Sequence, residues 1–166
     1  EAGAATFTVL TTAKAEFSLL PPKGWRAAAD PATGAVTWKS PDYASLIRLS
    51  IQEEPEAPSQ AQPQATNGRP AAGAAMLRQA VLKEMPGASV KAEFPCFAAL
   101  GPGVALDCET AAKDQYPLCA RYALVPFPGG TLQLNVTTSR QDFSRGQADF
   151  NLLLNSLRAE KVKARP

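Results

Sequence analysis

Three cysteines are the most reactive groups of this sequence, and all of them lie between residues 96 and 119. Cys96, Cys108 and Cys119 show no CxxC spacing, and the chain has no histidine. A zinc site would therefore lack its fourth nitrogen or sulfur ligand, and a catalytic thiol would lack the usual histidine base. Two interpretations are favoured over a catalytic thiol: small buried side chains, or one disulfide in an exported protein.

The predicted strands that carry the cysteines indicate which two would pair. Cys108 and Cys119 flank residues 109–118, a polar segment that we expect to join two antiparallel neighbours. Directly opposed residues of such neighbours have Cβ atoms roughly 4.5–5.5 Å apart, within small shifts of the distance that a disulfide requires. The alternative pair is Cys96 with Cys108, although Pro95 indicates an edge or a bulge that would shift its register. We predict a Cys108–Cys119 disulfide, with Cys96 as a buried apolar residue.

Carboxylate pairs are the other groups that can do acid–base chemistry. Glu53 and Glu54 begin a proline-rich segment, where a fixed geometry is not expected, and Asp107 and Glu109 share one face of a predicted strand, where a solvated role is the ordinary one. The chain contains no GxSxG motif, phosphate-binding loop or dinucleotide fingerprint. We therefore expect no catalytic residues, no cofactor and no metal. A small histidine-free hydrolase that uses Ser, Lys or carboxylate residues is the alternative.

A binding or accessory module is the favoured class of function. Tyr43, Tyr116 and Tyr122 are the candidate ligand contacts, because tyrosine is enriched at binding surfaces. The 17 basic and 15 acidic residues give a net charge of only +2, which does not favour nucleic acid as a partner. The expected partner is therefore an unknown protein or a small ligand.

Export is expected, to the periplasm or to the extracellular space. No apolar run approaches the roughly 18 residues of a membrane-spanning helix, so a membrane would be reached only through an anchor upstream of Glu1, such as a lipid-modified cysteine. The small, Ala-rich start suits the product of signal cleavage, and a cloning boundary equally well.

The elements that must position these groups follow from the hydrophobic pattern. A length of 166 residues suits a single core, and we expect one domain over residues 16–158 after a lead-in at 1–15. The alternating pattern predicts strands at 16–20, 36–40 and 46–52, and Asp30 to Gly34 has the composition of a turn.

The middle of the chain is predicted to be a flexible Pro/Gln-rich loop at 53–69 followed by a helix at 70–85. The loop has no large apolar side chain with which to offset its ordering entropy. The helix places Met76, Leu77 and Val81 on one apolar stripe.

The second half predicts a four-strand meander and a terminal helix. The strands are expected at 89–98, 104–109, 118–126 and 131–138, with turns at 101–103 and 128–130. Thr138 with Gln141, or Ser139 with Asp142, would form a capping box at the start of a helix over 140–158. The basic tail at 159–166 is expected to be solvated.

Several local motifs accompany this order of elements. They are Phe17-Ser18-Leu19 before Pro22-Lys23-Gly24-Trp25, Val36-Thr37-Trp38-Lys39-Ser40-Pro41, Gln141-Asp142-Phe143, and Phe150-Asn151-Leu152-Leu153-Leu154-Asn155-Ser156-Leu157. Over residues 16–158 the sequence resembles the PsbP-like superfamily, which includes photosystem II extrinsic proteins, a eukaryotic Ran-binding import factor and many bacterial exported proteins. The resemblance implies an α+β fold, an antiparallel sheet of six to seven strands flanked by helices in an α/β/α sandwich. It also implies a bacterial exported member, while the functions of the superfamily differ and no site residue carries over.

Overall fold

A computed structural model describes residues 7–13, 15–53, 69–110 and 117–162 of the chain. Most of the predicted loop at 53–69, the lead-in before Phe7 and the candidate contact Tyr116 therefore lie outside the described residues. The elements are β1 (Thr8–Thr11), β2 (Ala15–Leu19), β3 (Arg26–Ala29), β4 (Val36–Lys39), β5 (Ser45–Glu53), α1 (Arg69–Glu84), β6 (Ala88–Ala98), β7 (Gly101–Thr110), β8 (Leu118–Phe127), β9 (Gly130–Ser139), α2 (Phe143–Ser156) and β10 (Arg158–Val162).

The strands form two antiparallel sheets. The larger sheet has seven strands in the order β3-β4-β5-β9-β8-β7-β6, and the smaller one has the order β1-β2-β10. Helix α1 packs on one face of the large sheet, while α2 and the small sheet cover the other. The predicted α+β class and the seven-stranded antiparallel sheet are confirmed.

The face of the large sheet below α2 carries the main core. Ile47 and Leu49 of β5 and Leu134 of β9 are at most 1% exposed, as their alternation predicts. The buried residues of α2 and of the segment just after it complete this core: Phe150, Leu153, Leu154 and Leu157. The small sheet adds Phe17, whose ring meets that of Phe127 edge-on at 4.9 Å between centroids.

The opposite face carries a smaller core below α1. Leu77 and Val81 are buried against Leu106 and Leu124 of the sheet. Met76, predicted to lie on the same apolar stripe, is 43% exposed instead, so the buried stripe of α1 is narrower than expected.

The described residues nearest the two ends of the chain are more regular than predicted. Strand β1 lies in the predicted lead-in, and β10 begins at Arg158, so its residues occupy the start of the predicted basic tail. Both strands pair with β2, which places β2 in the small sheet and apart from β4 and β5 of the large one. Strand β3 was not predicted, because its sequence, Arg followed by three alanines, has no alternating pattern and all four residues are exposed.

Two of the three predicted turns are confirmed. Gly34 has φ +70°, and its N–H donates to the Asp30 carbonyl at 2.8 Å. Pro128 and Gly129 connect β8 to β9. The predicted turn at 101–103 is wrong: these residues begin β7, and a Cβ at Gly103 would collide with the Leu124 carbonyl oxygen of β8, so glycine permits close strand approach there.

Helix α2 is shorter than the predicted 140–158. The Ser139 hydroxyl donates to Asp142 Oδ2 at 2.8 Å, and the Asp142 N–H donates back to Ser139 Oγ at 3.3 Å. Ser139 and Asp142 are thus hydrogen-bonded to each other as predicted. Their bonds lie in the turn that precedes the helix, however, and do not cap the helix. Neither α1 nor α2, as far as their residues are described, is long and apolar enough to cross a bilayer.

Candidate functional site

A surface cleft of about 250 Å³ lies where the β4–β5 turn faces α2, and we call it the turn–helix cleft. Its lining residues come from three separate segments of the chain: Trp25, Ser40, Pro41, Asp42, Ser45, Arg145 and Asp149. A second cavity of about 160 Å³, between the small sheet and the β4–β5 strands, is lined by aliphatic residues, threonines and a glycine without a charged side chain. The turn–helix cleft is therefore the cavity that carries both charge and an aromatic ring.

One wall of the cleft is the turn that ends in Trp25. Gly24 has φ +82°, which a glycine adopts without strain, and a Cβ there would lie 3.6 Å from Pro41 Cγ. The two turns therefore pack against each other. Trp25 is half-buried against the core below α2, so its ring is held in place while one part of it lines the cleft.

The β4–β5 turn is closed by a network of hydrogen bonds. The Ser40 hydroxyl donates to Asp42 Oδ1 at 2.6 Å and accepts from the Ser45 N–H at 2.9 Å. The Ala44 N–H also donates to Asp42 Oδ1, at 3.1 Å. These bonds, the one from Ser40 first, lower the pKa of Asp42, so the carboxylate is ionised at neutral pH.

Tyr43 projects from this turn, directly after Asp42. It has φ +59°, a left-handed conformation that costs a bulky residue on the order of 1 kcal/mol, and its side chain is 67% exposed. Its N–H donates to the Ser40 carbonyl at 2.9 Å, and its hydroxyl accepts from Arg26 Nη1 at 3.4 Å. Of the three tyrosines predicted as contacts, Tyr43 is placed next to the cleft and open to solvent.

Helix α2 supplies the opposite wall. Arg145 Nη2 donates to Asp42 Oδ2 at 2.8 Å and to Asp142 Oδ1 at 3.0 Å. Asp149 follows one helical turn later and lines the same cleft with no described hydrogen-bond or ion-pair partner. Burial raises its pKa, and the charge of Arg145 offsets this only in part. Buried Gly146, between the two, lets α2 lie against β9 and Ser45.

Tyr122 belongs to a different polar cluster, on the α1 side of the large sheet. Its hydroxyl donates to Glu84 Oε2 at 3.0 Å, and Asn135 Nδ2 donates to the same oxygen at 3.2 Å. Arg48 Nη1 reaches the other oxygen of Glu84 at 3.5 Å. Burial first, and then the nearby Glu84 charge, raise the pKa of Tyr122. Because Tyr122 is 1% exposed, it fixes α1 to the sheet and is not accessible to a ligand on the surface.

Of the two carboxylate pairs considered for acid–base chemistry, Asp107 and Glu109 are paired with arginines, while Glu53 ends β5 and Glu54 lies outside the described residues. Asp107 accepts from Arg121 Nε at 2.7 Å and from its Nη2 at 2.9 Å, and the Arg121 guanidinium stacks 4.7 Å from the centroid of Phe94. Glu109 pairs with Arg140. These pairs hold β7, β8 and the segment between β9 and α2 together, and they leave neither carboxylate placed as a general acid or base.

The predicted Cys108–Cys119 disulfide is contradicted: all three cysteines are free thiols and buried. In the β7–β8 register Cys108 opposes Ala120, and Cys119 opposes Glu109. A one-residue offset sends the two side chains to opposite faces of the sheet, so they cannot bond. Cys108 packs below α1, and Cys96 in the core below α2, as a buried apolar residue.

The alternative pairs are excluded by the same register. Cys96 opposes Gly103 of β7, which places it on the face opposite to Cys108. Cys119 shares the face of Cys96 but lies beside Glu109, six residues further along β7 and therefore roughly 20 Å away. Burial raises the pKa of Cys96 and of Cys108 to about 11, as expected of structural thiols. Among the described residues no group of three or more Cys, Asp or Glu side chains could hold a metal ion.

Sequence reasoning named Tyr43, which lies next to the cleft and stays a predicted contact, but it did not single out the residues that line the cleft. Trp25 was noted only as part of a local motif, and it both packs against the core and lines the cleft. Arg145 and Asp149 carry a usable signal, since residues four apart share one face of a helix, but polar residues on an amphipathic helix ordinarily face water.

No protein-family model matches the chain, and a search of curated proteins gives no match. Among solved structures, cyanobacterial PsbP (CyanoP) from Synechocystis sp. PCC 6803 is 13% identical with a TM-score of 0.62, over 95% of this chain and 95% of that one. LpqN, involved in cell envelope biogenesis of Mycobacterium tuberculosis, is 12% identical with a TM-score of 0.49, over 93% of this chain and 90% of its own. The likeness to PsbP shows the fold. The chain has a PsbP-like fold, as the sequence motifs predict.

Proposed function

We propose that this protein is a non-enzymatic, exported accessory protein that binds its ligand or partner in the turn–helix cleft. The observation that carries the proposal is the cleft itself. Its two turns are fixed by hydrogen bonds and by mutual packing. They place Trp25 and Asp42 in the same cleft as Arg145 and Asp149 of α2, with the strained, exposed Tyr43 next to Asp42 in the turn. Backbone strain concentrates at functional sites, and rigid aromatic side chains are effective binding anchors.

The absence of an activated nucleophile among the described cleft residues supports a binding role. Ser40 is the one hydroxyl in contact with a carboxylate there, and it is 6% exposed. Its oxygen already accepts from the Ser45 N–H, so its proton and one of its lone pairs are engaged in the turn. The competing proposal of a histidine-free hydrolase would need a different centre.

The export part of the proposal is supported by the resemblance to bacterial exported proteins of this fold. The free thiols remove the disulfide as a second reason for it. Cell fractionation of the full-length gene product, in its native host, tests this part of the proposal directly.

The binding role is tested by a thermal-shift screen of small polar and peptide-like compounds against the wild type, Y43A and F97A. Phe97 is the matched control, because it is an exposed aromatic residue (66%) on β6, at the far edge of the large sheet. Ligands of the cleft should stabilise the wild type and F97A but not Y43A, with a shift that grows with ligand concentration. If every stabilising compound acts equally on Y43A, the proposed binding site, the cleft together with the adjacent Tyr43, is wrong. Catalytic turnover of esters or amides by the wild type would favour the hydrolase instead.

A further inference from the structure

We propose that the turn–helix cleft receives a positively charged group of its ligand, an ammonium or a guanidinium, with Asp149 as the counter-ion and Trp25 as the aromatic wall. This inference rests on the proposed function, because it assigns a chemical class to the ligand of the same cleft.

Asp149 is the first reason. Its carboxylate is half-buried in the wall of the cleft, and no described side chain or backbone group pairs with it. Partial burial of a carboxylate that has no hydrogen-bond partner is unfavourable. Burial raises the pKa of Asp149, and the charge of Arg145 offsets this only in part. A cation that enters the cleft would supply the missing partner.

Arg145 is already paired with two other carboxylates. Its guanidinium contacts both Asp42 and Asp142, so one positive charge meets two carboxylates before Asp149 is counted. Together these four groups carry a formal charge of −2, with three aspartates against one arginine. An anionic ligand would face this excess of negative charge, whereas a cationic one would reduce it.

Trp25 is the third reason. It lines the cleft together with Asp149 and is held by its packing against the core, so the ring needs no rearrangement to face a ligand. Tryptophan is the best aromatic partner of a cation, and the attraction increases where water is partly excluded. A carboxylate and an indole in one cleft thus favour an organic cation over a neutral polar group.

The test is an NMR titration of the ¹⁵N-labelled protein with two probes that differ only in charge: Nα-acetyl-lysine methylamide and its Nε-acetylated form. The protein contains two tryptophans, and Trp38, 1% exposed in the core, is an internal control for Trp25. The charged probe should shift the Trp25 indole signal and leave that of Trp38 in place. The neutral probe should shift neither.

Two variants make the assignment specific. D149N keeps the size of the side chain and removes its charge, and it should weaken binding of the charged probe by about tenfold. E93Q removes the same charge from β6, at the opposite edge of the sheet from the cleft, and should bind as the wild type does. The backbone spectrum of each variant verifies that it remains folded.

Three results would overturn the inference: no shift of Trp25 with the charged probe, equal binding of the neutral probe, or unchanged binding by D149N. Equal binding of both probes would leave the cleft as a binding site and remove only its preference for cations. The proposed function fails separately, through the Y43A and F97A comparison.

Discussion

Replacing Gly146 by alanine tests the contact that places α2, and with it the helix wall of the cleft. A Cβ at this position would lie 2.5 Å from Thr138 Cγ2 and 3.4 Å from Val136 Cγ2. Non-bonded carbons prefer about 3.5–4.0 Å, so either α2 moves by about 1 Å or Thr138 leaves its rotamer. Thr138 is 1% exposed, β-branched and hydrogen-bonded to the Ser139 carbonyl, so its side chain has little freedom to yield.

The magnitude follows from two opposing terms. Alanine is better than glycine inside a helix by about 1 kcal/mol, while overpacking at a rigid buried site costs about 2–3 kcal/mol. G146A should therefore lower the free energy of unfolding by about 1–2 kcal/mol. G73A is the matched control in α1, because its Cβ would meet only the half-buried Val104 at 3.3 Å and Leu124 at 3.7 Å. We expect G73A to be neutral or to stabilise the protein by up to about 1 kcal/mol.

Urea unfolding of the wild type and both variants measures the difference. With a slope of about 2 kcal/mol per molar urea, the midpoints of G146A and G73A should differ by about 1 M. A midpoint for G146A at or above that of the wild type would show that α2 does not approach β9 as closely as described. A shift of α2 would also disturb Arg145 and Asp149, so ligand binding by G146A should fall more than that of G73A.

Three further predictions concern the buried groups. At pH 8 a thiol with a pKa of about 11 is roughly 0.1% thiolate, so Cys96 and Cys108 should react with iodoacetamide only after unfolding. Rapid labelling of either cysteine in the native protein would contradict their burial. Y122F should lower the free energy of unfolding by about 1 kcal/mol. E84A should lower it by about 2–4 kcal/mol, because this variant leaves the Tyr122 hydroxyl and the Asn135 amide without their acceptor. Equal urea midpoints for the two variants would show that Glu84 does not accept both hydrogen bonds. D149N should unfold at slightly higher urea than the wild type at pH 7. The raised pKa of Asp149 means that the folded state binds the proton of this carboxyl more tightly than the unfolded state does. The stabilising effect of D149N should therefore shrink as the pH falls toward the ordinary value of 3.8. A D149N variant that is less stable than the wild type at pH 7 would show that the carboxylate has a partner.

The parts of the fold that could be predicted are the elements whose buried face shows as a regular spacing of apolar residues in the sequence. Strands β5 and β9 alternate apolar and polar residues along their lengths, and α2 repeats large apolar residues at helical spacing, so each indicates its own buried face. Strands β1, β3 and β10 carry no such pattern. They form because a partner strand is available, β4 for β3 and β2 for the other two.

The cysteine prediction was right about which strands are neighbours but wrong about which face of the sheet each side chain occupies. Strands β7 and β8 are neighbours, as the prediction assumed, but Cys108 opposes Ala120 instead of Cys119. A shift of one residue in the register reverses the face of every side chain. The register depends on the length of the loop between the two strands, and the sequence alone does not give that length. The cleft was missed for a related reason, because Trp25, Asp42 and Asp149 converge only through tertiary packing.

The pairing of β10 with β2 bears on how the protein folds during synthesis. The Ser18 hydroxyl donates to Glu160 Oε1 at 2.5 Å across a separation of 142 residues. Until β10 leaves the ribosome, β2 lacks the partner on one of its two edges, although the seven strands of the large sheet are already available. Contacts so distant in sequence form slowly unless the intervening chain is already ordered. We therefore expect the large sheet to assemble first, and the small sheet to be completed only after β10 has emerged.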